Sequence, residues 1–265
     1  MSHAFRSLRA LAVALGAVVA IATHLAAQAT AVERLADSLR VAIETAVDAG
    51  EFKGLDDAIA LADRALAAFP DSPLLLHYRA YALYEAGTLA IGRAGPAQAR
   101  PYFDKARAVL EPLVKRETIA ESYALLASVY GLQIGLSRVP MFAGMQLGPK
   151  SSEWMDRAVA AGPRNPRVWL LKGIGDIHTP KAFGGGPDKA EQHLKQALAL
   201  FAGDRPAPPL PAWGLAEAHL WLGQVYAARS QPDSARAEYN LALALQPRNG
   251  WITKVLIPAL AKIRR

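Results

Sequence analysis

Apolar residues recur along this chain at i, i+3, i+4 and i+7 in successive blocks, the spacing that lays one apolar stripe along an α-helix. Ala58, Ala62 and Ala65 mark one such block, Leu76, Ala80 and Leu83 the next, and Ala99, Phe103 and Ala106 the one after. Tyr123, Leu126, Ala127 and Tyr130 are followed by Ser151, Met155 and Ala158, and Trp169, Lys172, Gly173 and Asp176 by Ala190, Leu194 and Ala197. Proline punctuates the series. Pro70, Pro163 and Pro247 fall just after the second block of a pair, where a residue without an N–H cannot continue the hydrogen-bond ladder. The pattern predicts an all-α chain of paired helices.

One stretch fixes the period. His219, Leu222, Gly223 and Tyr226, then Ala235, Tyr239, Ala242 and Pro247, keep the spacing of W-x2-L-G-x2-Y followed by the second-helix positions of a tetratricopeptide repeat (TPR), with His in place of Trp. Small residues at Gly223, Ala235 and Ala242 let two helices approach while Leu222, Tyr226 and Tyr239 fill the seam. On these residues the chain resembles the TPR family. The resemblance implies a right-handed α-solenoid of about five helix pairs, with units near 32–72, 73–113, 120–165, 166–203 and 216–249. A last helix near 250–264, from Trp251 to Ile263, would cover the seam left open by the fifth pair.

Departures from the regular period are concentrated. His219 to Pro247 spans 28 residues, whereas unit three carries 12 extra residues, unit two 7 and unit four 5, all between the two helices of a pair. Such turns line up on one edge of a stacked array. Their content predicts three loops: Thr88–Gln98, the apolar Leu136–Lys150, and the Gly-rich His178–Asp188. Arg138, Met141, Phe142, Lys181, Phe183 and Lys189 are the loop-edge candidates for ligand contact. The loops either pack on one another or wall a pocket, since apolar loops in water need cover. Gly184–Gly186 with Asp188 as helix N-cap reads as a tight turn, and also as an anion cradle with Lys181 and Lys189. The Pro-rich Gly203–Ala212 reads as a stiff connector on the opposite edge.

The TPR resemblance also implies which residues would line the concave groove, at the fifth, ninth, twelfth and thirteenth positions of each first helix. These are His77, Tyr81, Tyr84 and Glu85 in unit two and Ala124, Ser128, Gly131 and Leu132 in unit three. Unit four gives Leu170, Ile174, Ile177 and His178, and unit five Leu220, Gln224, Ala227 and Ala228. Family members that clamp a peptide's terminal carboxylate carry Lys and Asn at the fifth and ninth positions, and this chain does not. An apolar groove with a few polar groups suits an amphipathic helix or extended peptide of a protein partner. A small apolar or acidic ligand in a loop-walled pocket is the alternative, and self-filling by the chain is a third outcome.

Composition adds a compartment. Arg6 and Arg9 precede an apolar run, Leu11 to Ala27, and Ala27-Gln28-Ala29 forms an A-x-A site, the grammar of an export signal at residues 1–29 cleaved after Ala29. The expected location is periplasmic or secreted, with membrane attachment only if that segment is retained. Losing it removes two arginines and no acid, taking the net charge from +7 to +5, a mild field. No basic run with interleaved aromatics speaks for nucleic acid. The chain has no cysteine, so disulfides and thiolate metal sites are excluded. No H-E-x-x-H, G-x-S-x-G or P-loop order occurs, so neither catalytic residues, a metal nor a cofactor is expected, and the chain reads as a non-enzyme.

Overall fold

A computed structural model describes the backbone of residues 2–263 and the side chains of residues 26–263. The n-region and most of the apolar run of the expected export signal lie outside the described side chains. Ten longer helices follow in pairs: α1 (Ser2–Ala49) with α2 (Phe52–Ala68), α3 (Pro73–Arg93) with α4 (Pro96–Arg116), and α5 (Ala120–Gly135) with α6 (Pro140–Ala161). Then come α7 (Pro166–His178) with α8 (Pro187–Phe201) and α9 (Leu215–Ala228) with α10 (Pro232–Leu245). The chain closes on a π-helical turn, Ile252–Leu256, and a short α11 (Ile257–Leu260). Each pair packs internally and then on its neighbours in chain order, which makes an all-α solenoid with an added C-terminal cap.

Local chemistry sets the boundaries. Pro73, Pro96, Pro140, Pro166, Pro187 and Pro232 each open a helix, where their missing N–H has no intrahelical acceptor to lose. Ser72 and Asn165 cap α3 and α7 by accepting from the amides of Leu75 and Arg167. Helices α2, α6 and α10 end at Ala68, Ala161 and Leu245, two residues before Pro70, Pro163 and Pro247, as the restriction on the residue preceding proline requires.

The small positions do the close packing. A Cβ at Gly223 would stand 2.5 Å from the Tyr239 ring, and one at Gly87 2.7 Å from Phe103, so α9 meets α10 and α3 meets α4 at distances only glycine allows. Tyr239 and Phe103 fill these seams, as Leu194 fills that of α7 with α8 against Gly173, each fully or almost fully buried. Ile252, Leu256 and Leu260 cover Leu220, Ala235, Tyr239 and Ala242, so the cap closes the last repeat. Among the described residues no helix is long and apolar enough to cross a membrane.

Two loop expectations need correction. Thr88–Gln98 is mostly helix, because α3 continues to Arg93 and α4 starts at Pro96. Leu136–Lys150 is also mostly helix: α6 begins at Pro140 and runs through Pro149. The extra residues lengthen the paired helices instead of looping between them: Pro96 and Pro140 open helices, and Pro149 lies within α6. Only His178–Asp188 is a true loop, with one 3-10 turn at Lys181–Phe183. Gly186, at φ 102, takes the N-cap position of α8, and Asp188 lies in its first turn instead of capping it.

Candidate functional site

The concave floor is built from α3, and the chain itself covers it. Trp213 stacks on Tyr81 with ring centroids 4.6 Å apart and planes 15° from parallel. The Tyr78 hydroxyl donates to the Pro209 carbonyl. Upstream, the Arg167 guanidinium, 3% exposed, holds Asp204 through two bonds of 2.7 and 3.1 Å and approaches Glu121 at 3.4 Å. The Pro-rich segment after α8 is thus not only a connector on the far edge. It folds across the groove and plugs its aromatic end, because Asp204, Pro209 and Trp213 each find a partner there.

This placement decides what the groove candidates present. His77, Tyr81, Tyr84 and Leu170 are buried, and none of them faces solvent. Ser128, Leu132, Ile174 and Gln224 are partly buried; Ser128 Oγ donates to Ala124 O at 2.9 Å, and Gln224 Oε1 accepts from the Tyr239 hydroxyl at 3.4 Å. His178 is exposed, with its ring edge-on to Trp221 at 5.9 Å. His77 shares a 2.9 Å hydrogen bond between Nδ1 and Ser122 Oγ. Burial holds its pKa down at about 4, partly offset by Glu121, so the ring is neutral. Among the described residues, its Nε2 and the indole N–H of Trp213 have no hydrogen-bond partner.

Beyond the plug, carboxylates gather that sequence reading saw only in part. Glu44 and Asp48 come from α1, Glu85 from α3 and Glu217 from α9. Burial, then the charge of Glu217, pushes Glu85 up to about 8, and the Tyr81 hydroxyl opposes this by hydrogen bonding to it. Glu217 and Glu44 are raised for the same reason, desolvation. Gln246 Nε2 donates to Glu217 at 3.1 Å, and Arg248 Nε to Asp48 at 2.9 Å, so the end of α10 meets α1 across 200 residues of chain. Glu85 was identifiable from its groove position. Glu44 and Glu217, on α1 and α9, are brought near it only by the curl of the array. Among the described residues no group of His, Asp and Glu is arranged to hold a metal ion.

The insertion edge is the opposite case, apolar and open. Met141 is 82% exposed, Met145 75%, Phe142 60% and Val139 60%, all on or just before the first half of α6. The reason lies beneath them. Positions 141, 142 and 145 share one helix face, while Gly144 faces Ile134 of α5, Leu147 packs against the core, and Ser151 Oγ donates to Ala127 O at 2.8 Å. Leu136 is buried and Leu147 packs against the core, but among the described residues Val139, Met141, Phe142 and Met145 between them are left exposed. Phe183 on the neighbouring loop is 81% exposed. Arg138 and Lys189 are exposed and, among the described residues, have no ion-pair partner, whereas Lys181 pairs with Asp188 at 3.1 Å.

The Gly-rich loop resolves as a turn. The amides of Gly184, Gly185 and Gly186 donate to the carbonyls of Lys181, Pro180 and Asp176, so they are not free to cradle an anion. Arg229 reaches across to Asp188 and Glu191 and ties the start of α8 to the end of α9.

No family model matches the chain, and no curated protein matches it. Solved structures do. A thermophilic TPR protein from Thermus thermophilus superposes with a TM-score of 0.62 at 22% identity, over 87% of this chain and 99% of that one. The HusA haemophore from Porphyromonas gingivalis gives 0.57 at 22% identity, over 73% of this chain and 93% of that one. At this identity the likeness establishes the fold: this chain is a TPR-like all-α solenoid.

Proposed function

We propose that the protein is an exported, non-catalytic interaction module that docks a segment of another envelope protein on the apolar edge made by the first half of α6. TPR-like folds generally serve as scaffolds for protein and peptide partners, and no catalytic motif stands in the sequence. The observation that carries the reading is the stripe of Met141, Phe142 and Met145, between 60% and 82% exposed on one helix face. Soluble proteins seldom leave such a run open unless something covers it. Methionine suits the task, because its unbranched, polarisable side chain adapts to partners. The groove floor, where the family pattern would put a peptide, holds Pro209 and Trp213 instead.

The test is capture from native envelope extract by the full chain and by a Met141→Ser/Phe142→Ser variant. Both side chains are exposed, so the variant keeps its melting temperature. The expected result is a partner held by the wild type and lost by the variant; equal capture by both refutes the reading.

A second reading, a carrier of a small molecule, draws on one observation. His77 Nε2 and Trp213 Nε1 are unpartnered polar atoms in a buried aromatic setting beside Tyr81. The haemophore among the fold neighbours is, by its name, a protein of that kind. Native mass spectrometry of the purified chain decides it: a stoichiometric adduct supports a carrier, and repeated recovery of the bare mass excludes one.

A further inference from the structure

Resting on the docking reading above, we infer that Met141 and Met145 form an oxidation switch: a peroxide converts both thioethers to sulfoxides, and the edge of α6 then releases its partner. The chain contains four methionines, Met1, Met141, Met145 and Met155, and no cysteine, so no thiol competes for an oxidant. Met1 falls within the expected export signal. Met155 is half-buried and packs against the core. Met141 and Met145 are the opposite case, 82% and 75% exposed. They stand four residues apart near the start of α6, on one face and roughly 6 Å apart along its axis at the standard rise. All three of these methionines belong to α6, yet the fold shields one and leaves two open. Exposure governs which sulfur an oxidant in solution reaches.

The chemistry is a two-electron oxygen transfer. A lone pair on the methionine Sδ attacks one oxygen of hydrogen peroxide, the O–O bond breaks and an S–O bond forms. Sulfur is oxidised from sulfide to sulfoxide. The peroxide is reduced to water, because the departing hydroxide takes up the proton left on the transferred oxygen. The product is polar and chiral where the reactant was apolar and adaptable. Its oxygen accepts hydrogen bonds strongly, and an apolar partner surface laid over it leaves that acceptor unpaired. Two sulfoxides one turn apart, with Phe142 beside the first, break the apolar continuity that docking needs. The helix itself is spared, since α6 is anchored from its other side, where Leu147 packs against the core and Ser151 bonds Ala127. Oxidation therefore changes what the edge recognises and leaves the fold intact. A dithiol-dependent reductase reverses it, returning sulfide and water as the dithiol becomes a disulfide.

The experiment treats the full chain with hydrogen peroxide and maps the added oxygen by mass spectrometry of its peptides. Met141 and Met145 are expected to oxidise at least about tenfold faster than Met155, and urea unfolding to erase the difference. Retention on a phenyl matrix then reads the stripe without any partner. The oxidised chain and a Met141→Gln/Met145→Gln variant, which mimics the polarity of the sulfoxides, elute earlier than the untreated chain and keep its melting temperature. A Met141→Leu/Met145→Leu variant holds its retention through peroxide treatment, and methionine sulfoxide reductases A and B with dithiothreitol restore the oxidised wild type. Met155 oxidising as fast as the other two in the folded chain overturns the site. A retention that peroxide leaves unchanged, or shifts equally in the Leu variant, overturns the switch. Partner capture separates this proposal from the reading it rests on. If the Met141→Ser/Phe142→Ser variant captures as the wild type does, docking and release fall together, and the oxidation map alone stands. If that variant loses the partner while the oxidised chain keeps it, docking stands and the switch is overturned.

Discussion

Trp213, the last residue but one before α9, lies flat on Tyr81 of α3, with ring centroids 4.6 Å apart, although 132 positions separate them in sequence. The contact joins the second repeat to the segment that leads into the fifth. Pro211 and Trp213 are buried there, and Tyr78 holds the Pro209 carbonyl beside them. A concave TPR surface would ordinarily be free for a partner. Here it is structural, and its removal has structural consequences.

Trp213→Ala removes the stack and most of the plug. It is expected to cost about 3–5 kcal/mol, the range for truncating a large buried aromatic. Urea unfolding followed by circular dichroism measures this. A loss under about 1 kcal/mol would mean that the plug is not part of the folded core.

Arg167 is the second anchor. Replacing it by Ala leaves Asp204 and Glu121 with a lost counter-ion in a buried setting, a change expected to cost about 3–5 kcal/mol. Arg167→Met combined with Asp204→Asn and Glu121→Gln keeps the volume and removes the charges, and is expected to recover most of that loss. If the triple variant is no more stable than Arg167→Ala, packing rather than charge pairing is what Arg167 supplies.

Two glycines separate close packing from helix propensity. Gly223→Ala drives a methyl group against the Tyr239 ring, 2.5 Å away, and should destabilise by about 1–3 kcal/mol. Gly92→Ala, in α3 with nothing within 4 Å of the added carbon, should stabilise by about 0.4–1 kcal/mol. Thermal melts of the two variants are expected to move in opposite directions; parallel shifts would contradict the packing described.

Stability should be greatest in mildly acidic solution. Glu85 titrates at about 8 in the fold against 4.5 as a free side chain, so between those values the folded chain holds a proton that the unfolded chain releases. Stability therefore falls as pH rises through that window, and Glu217 and Glu44, raised by burial, act in the same direction. His77 has the opposite sign. Neutral in the fold down to about 4 and titrating at 6.5 when free, it costs stability as pH falls from 6.5 toward 4. Denaturation midpoints at pH 5, 6.5 and 8.5 test this. Glu85→Gln is expected to flatten the alkaline side, and an unchanged slope in that variant would remove Glu85 as its source.

The division between what could be read in the chain and what could not is physical. The helix pairs, their proline stops and the close approach at Gly223 follow from residues within one repeat, because period, capping and side-chain size act over a few turns. Tyr239 meeting Gly223 is a contact between neighbouring helices, and its register is written in the spacing of the repeat. The insertions were legible as extra residues but not as helix: Pro140 and Pro149 suit a loop or a helix start equally, and packing of Gly144, Leu147 and Ser151 on α5 decided it. Self-filling of the groove was legible as an outcome, but the segment that fills it was not. The small rotation between successive pairs accumulates over five repeats until Trp213 reaches Tyr81, Arg248 reaches Asp48, and Glu217 approaches Glu85. No local propensity encodes a sum of that kind. The sequence by itself determined an array of paired helices with an apolar insertion; only the tertiary structure decided that its concave face is filled and that the insertion stands open.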